Sequence, residues 1–315
     1  MNILKIITEI EKVDPEVYER LDQRRQMFKH FAGFGKKLAA AAVPVAMGSM
    51  LQKAYGQSGG LSAQIKEVLN FALTLEYLET YFYEAALLSD PFLNAIPGTP
   101  NSGGLDKNSA LGIQNRSSIE LILTDERNHV KFLRSVLGSA AIPDPTRGAF
   151  DYTGSKGGTR APLFGDVFSN VATFFAVAQS LEDTGVRAYK GGAPLLISNN
   201  TVLEAALNIH SVEARHASHL RTIRRGGPQA MVGDLNSQPA SWPTGTDNGG
   251  PAPAITAAIY GAGNPASLYP SEANVVQAGI NVQGLSMVSP NEASEAFDEP
   301  LDMGTVLAIA GNFLK

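Results

Sequence analysis

One arrangement of polar residues occurs twice in this chain. Glu76 is followed seven residues on by Tyr83, and then by Glu126-Arg127-Asn128-His129; Glu182 is followed seven residues on by Tyr189, and then by Glu213-Ala214-Arg215-His216. Residues three apart share one face of a helix, so each Glu-x-x-His offers an oxygen and a nitrogen to the same point. All six ionisable groups fall on the apolar stripes of amphipathic segments, where an unpaired carboxylate costs several kcal/mol. Such a carboxylate must be protonated, paired with a cation or bound to a metal. A single Glu-x-x-His is weak evidence, because surface helices are rich in Glu and a histidine three residues on is common. Two of them in alternating helices, each preceded by an inward Glu with a Tyr at the same offset, restrict the chain far more.

The periodicity predicts four helices of about 20 to 26 residues. The first spans residues 62–88 and stops at Asp90-Pro91; its inward stripe holds Ile65, Leu69, Ala72, Glu76, Glu79, Tyr83 and Ala86. The second is expected to open with Ser117 and Glu120 in capping-box spacing and to end at Gly138, with Glu126 and His129 inward. The third begins near Asp166 and ends at Gly191-Gly192. The fourth opens with Thr201 and Glu204, again in capping-box spacing, and ends at Gly226-Gly227-Pro228. Segments of this length build an all-α four-helix bundle over residues 61–225. The connections between the first and second and between the second and third helices are long and rich in Gly, Pro and Asn, whereas 191–200 is short. Residues 226–315 are dense in Gly, Pro, Asn and Ser and read as an irregular arm on the bundle, anchored by Trp242, Tyr260, Tyr269, Val275 and Val276 and closing in one short helix over 302–313.

A net charge of -5 supplies no basic field for nucleic acid, so no nucleic-acid partner is expected. The chain has no cysteine, which leaves nitrogen and oxygen as the only metal donors. Near the start, Gln23-Arg24-Arg25-Gln26-Met27-Phe28-Lys29 precedes a mildly apolar run at 38–51 and small residues at Ala54 and Gly56. That order suggests that residues 1–56 are a twin-arginine-type export signal, cleaved after Gly56, and that the protein is periplasmic or exported. The run is shorter than the roughly 20 residues of a membrane span, so no stable membrane anchor is expected. An amphipathic helix docked on the bundle is the alternative.

The segments NFALTLEYLETYFY from Asn70, LTDERNHVKFLRSVLG from Leu123, SLEDTGVRAY from Ser180 and IHSVEARHASHLR from Ile209 resemble the ferritin-like superfamily. In detail they are similar to the ferritin-like domain proteins that include plant desiccation-related proteins and bacterial homologues, and SEAFDEPLDMGTVLAIA near the C-terminus extends the likeness. The resemblance implies a ferritin-like four-helix bundle with a long crossover, and metal ligands at Glu76, Glu126, His129, Glu182, Glu213 and His216. Four carboxylates and two imidazoles are the recipe for a dinuclear centre in such a bundle, with two iron ions as the first expectation and manganese as the second. Dioxygen or peroxide would be the co-substrate.

Glu79, one turn beyond Glu76, stands either as an assisting ligand or as a polar residue at the bundle edge. Tyr83 and Tyr189 are candidates for hydrogen bonds to ligand carboxylates or for places beside a redox centre, and equally for ordinary core tyrosines. Asp125 and Asp183 adjoin ligands and are candidate acceptors for an imidazole N–H across the bundle. His210 is read as a core histidine, His219 and His30 as solvent-facing. The expected activity is oxidation of Fe(II) by dioxygen or peroxide in protection against oxidative or drying stress. Two alternatives stand beside it: a stress-associated structural or binding protein in which metal merely holds the helices together, and an oxygenase, which would need an apolar pocket reaching the metals. Long loops and the C-terminal arm argue against a closed storage shell.

Overall fold

A computed structural model describes residues 60–88 and 110–315. Both the expected export signal and the loop after the first helix lie outside the described residues, as does His30. Four long helices form the bundle: α1 (Ala63–Leu88), α2 (Ala110–Leu137), α3 (Val171–Gly192) and α4 (Asn200–Arg225). Their inward stripes are the ones the periodicity marks: Leu69, Tyr83, Ile119, Ile122, Leu133, Phe174, Phe175 and Ala178 are all buried. Apolar residues three and four apart line one face of each helix, and packing those faces together supplies most of the stabilisation that helix propensity alone does not.

Side-chain bonds across the bundle fix the helix directions. Between α1 and α2, Tyr77 pairs with Arg134 and Glu84 with Arg127, so the two run antiparallel. Between α1 and α3, Tyr83 meets Glu182 and Tyr189 meets Glu76, again antiparallel. Gln179 with Arg224 and Asp183 with Arg221 set α4 antiparallel to α3. It follows that α2 and α3 point the same way, and the chain must return the length of the bundle between them. The segment 138–170 does this, held by Tyr152 donating to the Leu78 carbonyl and Tyr81 donating to Asp144.

Three predicted helix starts are corrected. α2 begins at Ala110, so Ser117 and Glu120 are a turn or more inside the helix and form no capping box. α4 is capped by Asn199, whose side chain accepts from the Val202 N–H, which puts Thr201 inside the first turn. Asn170 caps α3 by accepting from the N–H groups of Ala172 and Thr173, so the helix starts a turn later than Asp166. Asn satisfies an orphan amide as well as Ser or Thr does, and the Ser/Thr-x-x-Glu spacing drew attention from it. The C-terminal stops stand: Gly138 and Gly226 take left-handed conformations, where glycine is unstrained.

The C-terminal arm holds more regular structure than its composition suggests. It contains α5 (Pro253–Tyr260), a two-stranded hairpin of β1 (Val276–Gln277) and β2 (Ile280–Asn281), the short helices α6 (Val282–Ser286) and α7 (Pro290–Ser294), and α8 (Met303–Ala310). Of the expected anchors, Tyr260 is fully buried, whereas Trp242 and Val276 are exposed. Leu301, Val306, Ile309 and Phe313 bury the arm instead. At Gly191 the arm's backbone comes so close that a Cβ there would lie 2.0 Å from the Leu301 carbonyl oxygen. The last residues pair with the crossover through Phe150 and Leu314. No described helix is long and apolar enough to cross a membrane.

Candidate metal centre

Midway along the bundle each helix contributes one fully buried glutamate: Glu76, Glu126, Glu182 and Glu213. Both Glu-x-x-His pairs join them, with His129 and His216 also buried. The donor atoms fall into two overlapping sets, Glu76, Glu126, His129 and Glu213 in one and Glu126, Glu182, Glu213 and His216 in the other, with all atoms of a set within 4.8 Å of one another. Glu126 and Glu213 belong to both. The shared carboxylates therefore come from the two Glu-x-x-His helices, while Glu76 and Glu182 each serve one position.

Both imidazoles present Nδ1 to the centre. His129 Nδ1 lies 3.1 Å from Glu76 Oε2 and 3.2 Å from Glu126 Oε2; His216 Nδ1 lies 2.9 Å from Glu126 Oε1 and 3.2 Å from Glu182 Oε2. On its far side His216 Nε2 is 3.2 Å from Asp125 Oδ2, as expected across α2 and α4. Asp183 does not play the same part for His129. It accepts instead from Arg221 and Tyr260, and the fully buried Arg221 also pairs with Asp247. The two phenols cross over: Tyr83 donates to Glu182 Oε1 at 2.5 Å, and Tyr189 donates to Glu76 Oε1. Each half of the repeat thus orients the other half's terminal carboxylate.

The electrostatics follow from burying so many ionisable groups together. Burial pushes the Glu76 carboxyl up to about 7 against the pull of His129. Burial first, and neighbouring carboxylates second, raise Glu213 well above the usual range. Burial also raises Glu182, although His216 opposes it. For Glu126 burial acts in the same sense, but hydrogen bonds from His129 and His216 outweigh it and hold the group low. The imidazoles show the reverse balance, since burial lowers them while the surrounding carboxylates raise both strongly. Both oxygens of Glu213 are buried without a hydrogen bond, and Glu126 Oε1, though near His216, lacks the alignment of one. Four carboxylates and two neutral imidazoles match the charge of two divalent cations, and the orphaned oxygens sit on the two shared ligands. These residues fit a pair of metal ions.

Two further residues shape the centre. Glu79 is buried, has no hydrogen-bond partner among the described residues, and is raised well above the usual range by burial and then by Glu213. It belongs to neither ligand set. Gly185 holds the matching place on α3, and a Cβ there would lie 2.6 Å from Glu213 Oε2 and 3.3 Å from Glu79 Oε1. Lining up Glu76-x-x-Glu79 with Glu182-x-x-Gly185 in the repeat would have revealed this glycine. Arg221 was also missed, because basic residues near a helix end read as solvated. His219 is exposed, with Nε2 2.7 Å from Ser118 Oγ, and His210 is half-buried with an unpartnered Nε2.

A family model described as ferritin-like domain matches residues 65–225. The chain belongs to the ferritin-like domain family. The matched span covers the four helices and all six ligand candidates of this ferritin-like protein. Searches of the curated proteins and of the solved structures found no match.

Proposed function

We propose that this ferritin-like protein holds two iron ions at Glu76, Glu126, His129, Glu182, Glu213 and His216 and oxidises Fe(II) with dioxygen or peroxide, with manganese as the alternative metal. The observation that carries the reading is the pair of overlapping ligand sets around buried, unpartnered carboxylate oxygens. When bound, two such ions would supply two one-electron reductants, enough with two protons to take one peroxide to two waters without releasing a radical.

The chain's own residues hold the ligands in place. Glu126 and Glu213 link the two positions, Tyr83 and Tyr189 fix the free oxygens of Glu182 and Glu76, and Asp125 sets the ring plane of His216. Asp125 keeps 38% of its side chain exposed, so it joins the outside to the buried imidazole and provides a route for protons. An oxygenase would need room for an organic substrate. The apolar recess that reaches Tyr189 has a volume of only about 10 Å³, near the lower limit for a single water.

The same reading includes the desiccation-related type, a role in stress protection and export of the protein, supported by the motifs around Arg24 and Arg25 and by the likeness of the helix segments. Protein loaded with two ions per chain should oxidise Fe(II) and consume peroxide, with a metal spectrum that changes on oxidant addition. Two bound ions that stay inert to peroxide would instead establish a structural role for the metal. Periplasmic material with an intact Met1 would overturn the export proposal.

A further inference from the structure

A cavity of mixed polar and apolar lining lies where α3 and α4 meet the C-terminal arm. Its volume is about 150 Å³, room for about five waters. Two arginines in its wall, Arg187 and Arg221, suggest an anion site at first sight, but their donors are already spent. Arg187 donates to the carbonyls of Glu299, Ile259, Gly261, Pro270 and Pro300 and pairs with Glu272. Arg221 donates to Asp183, Asp247 and the Trp242 carbonyl. An anion would find no free N–H on either.

What remains unspent is acceptor and aromatic surface. Glu272 is only 3% exposed and lines this cavity. Its Oε1 takes Arg187 and the Glu299 N–H, while Oε2 has no partner among the described residues. Asp298 and Ser218 also line the cavity, and neither side chain has a hydrogen bond or ion pair among the described residues. Trp242 also lines the cavity and is 53% exposed. Glu272 and Asp298 thus bring two carboxyl groups with free oxygens to one cavity beside the exposed Trp242.

We propose that this cavity binds a small organic ammonium ion, its charged head between Glu272 and Asp298 and its hydrocarbon against Trp242. A bare divalent cation suits the space poorly, because it needs six or more oxygens and two carboxylates and one hydroxyl are on offer. An alkylammonium needs few contacts: its head takes two or three acceptors and its carbon chain packs on the indole, where the ring face adds cation–π attraction. Burial pushes the Glu272 carboxyl up to about 8 despite Arg187. The site is separate from the metal centre and does not depend on its activity.

Trp242 is the chain's sole tryptophan, so its emission reports on the cavity directly. Metal-loaded full-length protein is titrated at constant ionic strength with butylammonium chloride and, separately, with magnesium chloride and sodium phosphate. Saturable change with butylammonium in the millimolar range or tighter, weakened at least roughly tenfold in Asp298→Asn, supports the site. Asp298 makes no side-chain bond, so this variant should fold, and retained metal content checks that. Saturation by phosphate or magnesium alone, no saturable response to butylammonium, or an unchanged response in Asp298→Asn would each overturn the proposal.

Discussion

Glu126 and Glu213 differ from Glu76 and Glu182 in one respect, membership of both ligand sets, and that difference can be measured. Glu126→Ala or Glu213→Ala should lose both ions, whereas Glu76→Ala or Glu182→Ala should retain one; elemental analysis of purified variants decides it. Glu79→Gln should keep two. The phenols act through the carboxylates they orient, so Tyr83→Phe and Tyr189→Phe should each weaken metal binding roughly tenfold or more, read by competition with a chelator. That all six candidate residues are buried and converge was legible, because a charged residue on an apolar stripe contradicts the pattern around it. Gly185 was not, since its role lies in the atom it omits, and Asp183 was assigned the wrong partner because adjacency to a ligand does not say which way a side chain turns.

Helix existence followed from periodicity, yet helix starts did not. A stripe of apolar residues fixes a face but leaves its first turn open, and Asn170 and Asn199 supplied caps where Asp166 and Thr201 were favoured. The arm was harder still. Its anchoring rests on backbone contacts such as the Leu301 N–H donating to the Arg187 carbonyl, which no side-chain pattern records. Gly191→Ala tests that docking. With the Leu301 carbonyl so close, the arm must shift, and the variant should lose about 1–3 kcal/mol of stability in thermal or denaturant unfolding while its metal stoichiometry stays at two.

For the molecule as a whole, the centre and the cavity at the C-terminal arm store protons when nothing is bound. Glu76 rises from an ordinary 4.5 to about 7, and Glu272 from 4.5 to about 8. The folded state therefore binds more protons than the unfolded chain between 4.5 and these values, and stability falls as pH rises through that window. Metal-free protein should accordingly melt at lower temperature at pH 8 than at pH 5. Metal loading should reverse the trend, since ions displace the protons on Glu76 and bind tighter as pH rises; calorimetry of both forms across the range provides the check.

The common ownership of Glu126 and Glu213 carries one more consequence. In the proposed two-ion centre, the first ion to arrive would pin two carboxylates that the other position also requires, so the second would find its walls already built. Against this would stand the mutual repulsion of two cations sharing ligands. Occupancy curves should consequently depart from a pair of independent isotherms, and the sign of that departure measures which of the two effects prevails.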